Sequence, residues 1–527
     1  MSQSAGKSAS QGPRRTGVGA AATLLAGSVL ASRGLGYVRD VLLADRVGAG
    51  AEADAYYAAF QIPDLLNYLL AGGALAIAFI PLYTRVRESR GDAAAEKLFA
   101  NILGSVGALA IVGTGLLWIY AEELVALQFP RFDAATQQLT VELTRIVLPG
   151  QVFFLTGGIV RAVLMAHGRF GAQAMAPLVY NLGVIAGGLA TGTAVGFAWG
   201  VLVGSFVGPF ALAFADLLRS RELRLRLRIV FDRDLRAYGL LALPLMLGLS
   251  LATVDEWYER WFGGLLATGT VAHLSYARKL MMAPVAVVGQ AIAAALLPTL
   301  ARLHAQHARQ QFDSTLDRTL QASLALAVLA GAASWLFAGP LVELVYRHGR
   351  FSQADATAVA GILSVLSLGV PAWVTQQIAA RAFYARGDTW RPMLLSTVVA
   401  LAAIPLYMAL GKSHGARGLA AAGVGAMTLN ALLTLGLARG LFGSPGLRAF
   451  LASGLRGLLV AVLAVLAVSL LPGPGVSGWQ GALYQLAFGG AVYTAAVLVF
   501  ARWLGGAAVR EGLSRIWRRV RWRGAGT

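Results

Sequence analysis

The sequence predicts an all-α polytopic membrane protein of about fourteen transmembrane helices: two pseudo-symmetric six-helix lobes and two C-terminal helices. Three observations predict it: few charges, a series of apolar runs of spanning length, and an internal repeat. Of 527 residues, 57% are hydrophobic and 13% charged, with a mean hydropathy of +0.65. Soluble domains carry about 25% charged residues. This chain has too few ionisable groups to coat a surface that faces water.

A spanning helix needs about 20 mainly apolar residues. Runs that meet this requirement centre on 17–46, 54–84, 96–120, 138–166, 172–193, 196–218, 237–262, 269–300, 319–338, 356–384, 392–411, 417–438, 449–471 and 479–504. An even number puts both termini on one side. Connections on that side hold about 29 Lys and Arg, and those on the other about 6. The positive-inside bias therefore places both termini in the cytoplasm. It also accounts for most of the net charge of +19, so nucleic acid is not expected as a partner. Residues 1–16, with Lys7, Arg14 and Arg15, read as a cytoplasmic tail. The apolar run after them outlasts a cleavable signal. The basic tail 505–527, with Trp517 and Trp522, should lie on anionic lipid headgroups.

Several chemistries drop out. The chain has no cysteine, which removes disulfides, Cys-ligated zinc and thiol catalysis. Its six histidines show no metal-ligand spacing. A Walker A sequence, a loop-borne carboxylate pair and a loop long enough for a catalytic domain are all missing. A transporter is expected rather than an enzyme, with no cofactor or metal; coupling to an ion or to the membrane potential stays open.

The repeat has an offset near 218 residues. The stretch Ala74–Arg85, with Pro81, echoes Ala291–Arg302, with Pro298. Arg161-Ala followed by His167-Gly168 echoes Arg381-Ala followed by Arg386-Gly387, and Asp54-Ala-Tyr-Tyr57 stands opposite His273-Leu-Ser-Tyr276. Six spans per copy give both copies one topology. Parallel repeats of this kind belong to transporters whose substrate site lies between lobes near mid-membrane. The expected divisions are 17–218 (N-lobe), 219–236 (basic cytoplasmic linker), 237–438 (C-lobe) and 449–504 (an additional helix pair).

Charges inside spans cost about 2.5–3.5 kcal/mol each on insertion scales, so they must line a cavity, find a partner or reach an interface. Arg33 lies about 22 Å into the first span at 1.5 Å per residue, too deep for easy snorkelling. Arg33 and Asp40 share a helix face, and Gly34 and Gly36 allow a bend that brings Arg39 round. Arg39 is nearer the outer surface, and an Arg39–Asp54 ion pair is expected as part of an outer gate. Asp64 and Asn67 lie deeper, after Pro63. Arg278 and Lys279 sit about ten residues into the eighth span. With Arg33 they would gather three cations round one volume, a setting suited to phosphate oxygens. The alternative for Arg278 is pairing with Asp255, Glu256 or Glu259 of the seventh span. Arg145 and Arg161 are weaker candidates, and Trp257 and Trp261 read as interface anchors.

Residues Ser32–Asp40, Gly48-Ala-Gly50, Asp54–Tyr57 and Phe60–Leu66 resemble the MurJ (MviN) family of lipid II flippases, within the MOP superfamily. The same holds for His167–Phe170, Ala176–Asn181, Tyr276–Leu280, Arg347–Phe351 and Ala382–Pro392. The resemblance runs in order across about 20–440. It implies a fourteen-helix fold in which two lobes form a V and the last helix pair borders a lipid-tail groove. The substrate it implies is an undecaprenyl-diphosphate-linked peptidoglycan precursor, moved from the inner to the outer leaflet. The cell-wall synthesis machinery is then a candidate partner, beside membrane lipids. Arg33, Arg39 and Asp54 match the family's first-helix arginines and second-helix aspartate. The family's next basic pair is Asn67-Tyr68 here, its Ala-Glu-Gly is Ala71-Gly72-Gly73, and its eighth-span arginine is Lys279 beside Arg278. The span 392–411 holds no ionisable residue, against a sodium site there.

The expected substrate-binding set is Arg33, Arg39, Asn67, Arg278 and Lys279, working by alternating access. A flippase for another polyprenyl-linked saccharide would use the same cations. A MATE-like ion-coupled drug exporter would favour an acidic, aromatic cavity. A non-transporting envelope scaffold would need no charged cavity.

Overall fold

The computed structural model describes residues 18–71, 74–220, 227–247, 251–443, 445–473 and 478–504. The two tails, the centre of the basic linker and Gly72-Gly73 lie outside them. Every regular element among the described residues is helical. Nine helices there are long and apolar enough to cross a membrane, and Gln353–Ser367 with Val370–Tyr384, bent by 44°, makes a tenth. One of the nine is Trp390–Phe442, whose 53 residues would run about 80 Å if straight, against a hydrocarbon core of about 30 Å. It is broken at Gly415 (φ 58°, ψ −137°), a conformation essentially reserved for glycine. The break falls between the expected spans 392–411 and 417–438. Across the expected second span the described helices are Ala51–Ala59, Gln61–Ala71 and Ala74–Arg90, and across the seventh Arg233–Leu247 and Leu251–Gly263.

Among the described residues three stretches wind as π-helix: Phe206–Leu212, Val285–Gln290 and Gln485–Gly489. Pro209 lies inside the first, and its carbonyl accepts from Arg161 Nη1 at 2.6 Å. Arg161 Nε binds Gln173 at 3.0 Å. Arg161 thus serves backbone at a helix irregularity. Arg145 is likewise engaged, donating to the Trp118 carbonyl at 3.3 Å and lying 5.1 Å from the Trp118 ring centre.

Contacts divide the chain into two units. One holds the described residues within Met1–Leu42, Ile62–Ala121 and Glu142–Leu247, and the other those within Leu43–Gln61, Glu122–Val141 and Gly248–Thr527. These differ from divisions at 218 and 237, for physical reasons. Segment 43–61 caps and pads the helix Thr270–Pro284, as set out below. Segment 122–141 packs Phe129 against Gly264 and donates from Arg131 to the Leu265 carbonyl at 2.8 Å. The stretch 227–236 is tied to the helix Asp92–Ile119 and so stays with the first unit.

In the first unit Phe79, Tyr83, Phe99, Ile102, Ile159 and Leu217 form a buried core. Lipid is as apolar as these side chains, so close packing rather than escape from water holds such helices together. The hairpin Gly171–Thr191/Ala194–Ser205 shows this. Gly183, Gly187, Gly200 and Gly204 follow small-xxx-small spacing, and a Cβ on Gly200 would lie 2.6 Å from the Gly183 carbonyl oxygen. Gly200→Ala should force the backbones apart and cost about 1–3 kcal/mol, the usual range for overpacking; thermal unfolding in detergent would measure it. In the second unit the last two long helices pack on Arg309–Leu336. Tyr493 donates to the Leu329 carbonyl and Ser453 to the Gln321 carbonyl, both at 2.8 Å.

Candidate functional site: polar residues of the two units

The N-terminal turn of a helix leaves backbone N–H groups without partners inside the helix. For Thr270–Pro284 a distant residue supplies them. Asp54 Oδ2 accepts from the Gly269 N–H at 2.5 Å and Oδ1 from the Ala272 N–H at 2.8 Å, with Asp54 only 2% exposed. The carboxyl group sits at the positive end of the helix dipole. Both carboxylate oxygens are therefore engaged by backbone. Arg39 is bound elsewhere: to Asp40 at 3.0 Å and to Asn181 Oδ1 at 3.3 Å. Asp54 thus serves as a helix cap in the second unit, and Arg39 belongs to a local Arg–Asp–Asn cluster in the first.

The cap is one of several ties inside the second unit. Tyr276 Oη donates to the Gly48 carbonyl at 2.9 Å, and the Arg350 N–H donates to the Asp45 carbonyl at 2.9 Å. His273 Nε2 and Asp355 Oδ1 lie 2.8 Å apart. The rings of Tyr57 and Tyr276 meet edge-on at 5.4 Å. These two tyrosines are counterparts in the repeat, so equivalent positions of the two copies touch each other here.

Adjacent residues on a helix diverge by about 100°, and this separates Arg278 from Lys279. Arg278, 5% exposed, donates from Nε to Glu259 at 2.5 Å and from Nη2 to Asp255 at 2.6 Å. Tyr407 donates to the other Asp255 oxygen, and the Trp373 ring lies 5.7 Å from the guanidinium. Arg278 is thus a neutralised core residue, and its expected role as a phosphate ligand is withdrawn. Lys279 keeps a different setting. It is half-buried, with Nζ 3.1 Å from Tyr57 Oη and 4.7 Å from the centre of that ring. An aromatic face and a hydroxyl oxygen both suit a cation.

In the first unit Arg33 is exposed on the helix Val18–Val47. The helix is clasped to Gly171–Thr191 through Asn181, whose Nδ2 reaches Ser32 Oγ at 3.2 Å and the Pro177 carbonyl at 2.9 Å. Asn67 donates to Gln151 Oε1 at 2.8 Å, so the position at which the resemblance implies a cation carries a neutral amide pair. Sequence reasoning missed Asn181, Gln151, Tyr57 and Tyr407 as hydrogen-bond partners: Tyr57 and Asn181 stood in quoted motifs, but an uncharged side chain does not signal which group it binds. Trp261, 43% exposed, stacks on Phe262, and the Trp257 carbonyl accepts from Gln61 at 3.4 Å.

The family model described as "Lipid II flippase MurJ" matches residues 43–485. A Bdellovibrio bacteriovorus protein named "Probable lipid II flippase MurJ" is 31% identical over 443 residues, covering 81% of this chain and 83% of its own. A Burkholderia cenocepacia protein named "Lipid II flippase MurJ" is 28% identical, covering 80% and 84%. Among solved structures, "Lipid II flippase MurJ, inward closed conformation" aligns with a TM-score of 0.76 at 21% identity, covering 91% of this chain and 99% of that one. An inward-facing MATE family transporter of the MOP superfamily aligns with a TM-score of 0.65 at 14% identity, covering 80% and 98%. A fold shared with drug transporters leaves the substrate to be argued from residues.

Proposed function

The chain belongs to the lipid II flippase MurJ family, and from that premise we propose that it moves lipid II across the bacterial inner membrane by alternating access. The match over 43–485 carries this reading. Arg33 and Lys279 are the cations assigned to the diphosphate, since Arg278 is already satisfied by two carboxylates. Arg39, oriented by Asp40 and Asn181, and the Asn67 amide complete the polar set. The polyprenyl tail stays in lipid beside the last helix pair. Fourteen spans, with both termini cytoplasmic, follow from the apolar runs and the Lys/Arg asymmetry. The Asp54 cap on Thr270–Pro284 takes the gate role first given to an Arg39–Asp54 pair. An inward-negative potential favours return of the emptied cationic site. Cell-wall synthesis enzymes are its candidate partners.

In proteoliposomes, Arg33→Ala and Lys279→Ala should each slow transbilayer movement of lipid II at least tenfold. Native mass spectrometry should show the co-purified polyprenyl-diphosphate lipid lost. Unchanged transport in either variant removes that residue from the site. Retention of a different saccharide lipid by the unaltered protein would reassign the substrate.

A further inference from the structure

The stretch between the helix ending at Ser220 and the one beginning at Arg233 contains a non-helical segment, 227–232, fixed to Asp92–Ile119, a helix long and apolar enough to cross a membrane. The Arg228 N–H donates to the Ala100 carbonyl at 3.2 Å. Asn101, fully buried, holds both backbone groups of Val230: Nδ2 donates to its carbonyl at 2.6 Å and Oδ1 accepts from its N–H at 2.7 Å. At Gly104 the Arg228 backbone comes so close that a side chain there would overlap it. Beyond the clip, Arg90 pairs with Asp234 at 2.7 Å and Asp232 caps the next helix through the Leu235 N–H at 2.8 Å. The segment is held at both its centre and its end.

Its depth follows from its mount. Lys97 is the last charged residue of the helix Asp92–Ile119. Asn101 and Gly104 lie about 6 and 10 Å further along it at 1.5 Å per residue. That is the level at which headgroups give way to acyl chains. Irregular backbone at such depth needs protein partners, which explains the double bond made by Asn101. Here Leu227, Ile229 and Phe231 are 73%, 68% and 85% exposed, while Arg228, Arg233 and Arg236 are exposed beside them.

We propose that 227–231 is an interfacial anchor, with Leu227, Ile229 and Phe231 inserted among acyl chains and Arg228, Arg233 and Arg236 gathering anionic phospholipid headgroups. Apolar side chains interleaved with arginines complement that boundary on both counts. The anchor stands apart from the polar residues assigned to lipid II and does not depend on them.

A chain without cysteine permits single-site spin labelling of the full protein. Leu227→Cys, Arg228→Cys, Ile229→Cys and Phe231→Cys would each carry a nitroxide in vesicles of phosphatidylcholine with phosphatidylglycerol. Labels at 227, 229 and 231 should be relaxed by oxygen and shielded from a water-soluble nickel chelate, with 228 reached by nickel. In pure phosphatidylcholine, nickel access at 231 should rise severalfold. Adding Asn101→Ala should have the same effect by releasing the clip. Nickel access at all four sites in anionic vesicles would overturn the proposal. So would immobilised labels reached by neither agent, since protein then covers the face.

Discussion

Arg278→Ala is expected to destabilise the unit that contains it by about 3–5 kcal/mol, the usual result of removing one partner from a buried ion pair. Asp255 and Glu259 have side chains only 1% and 3% exposed and share this one guanidinium within 2.6 Å. Without it, two carboxylates face each other with Tyr407 as the remaining donor to Asp255. Thermal unfolding in detergent should show the loss. The triple variant Arg278→Met, Asp255→Asn, Glu259→Gln should recover much of it, since no buried charge is then stranded. A well-folded Arg278→Ala protein that had lost only its hold on lipid II would reinstate the arginine as a phosphate ligand.

Asp54→Ala should loosen the tie between 43–61 and the helix Thr270–Pro284. Hydrogen bonds to a charged group contribute about 1.5–3 kcal/mol each, and Asp54 makes two of them. The loss is about 3 kcal/mol or more, and every 1.4 kcal/mol is tenfold in population. With Ser275→Cys as the reporter, a half-buried position on that helix, alkylation by an impermeant maleimide should quicken at least tenfold. Asp54→Asn, which keeps one acceptor, should fall between. Equal rates in Asp54→Ala and the parent would rule out the cap as a gate.

The spans were legible because lipid imposes a length and a composition on each helix, and the turn near Gly415 showed as a polar interruption in an apolar run. The repeat was legible enough to pair Tyr57 with Tyr276, and these two rings do touch. Arg278 had two readings in sequence, cavity cation or partner of the seventh-span acids. The choice depends on which helix faces meet, and no local pattern encodes that. The cap by Asp54 was hidden for a related reason: a helix N-terminus announces itself through a nearby Ser, Thr, Asp or Asn, whereas Gly269 takes its acceptor from 215 positions earlier. Asn101 lies in an apolar run with no motif around it. Only the coordinates show that it serves the backbone of Val230.

The wider turns at Phe206–Leu212, Val285–Gln290 and Gln485–Gly489 act as phase shifters. Each accommodates a residue beyond the α-helical repeat. Wound as uninterrupted α-helix without that wide turn at Val285–Gln290, the same residues from Ala291 onward would be swung by about 100°. Leu296, Leu300 and Leu303, now buried, would rotate away from the neighbours they face. The angular setting of Ala291–Ala305 is therefore stored in a single wide turn, and heptad-style alignments carried through it will assign its faces wrongly.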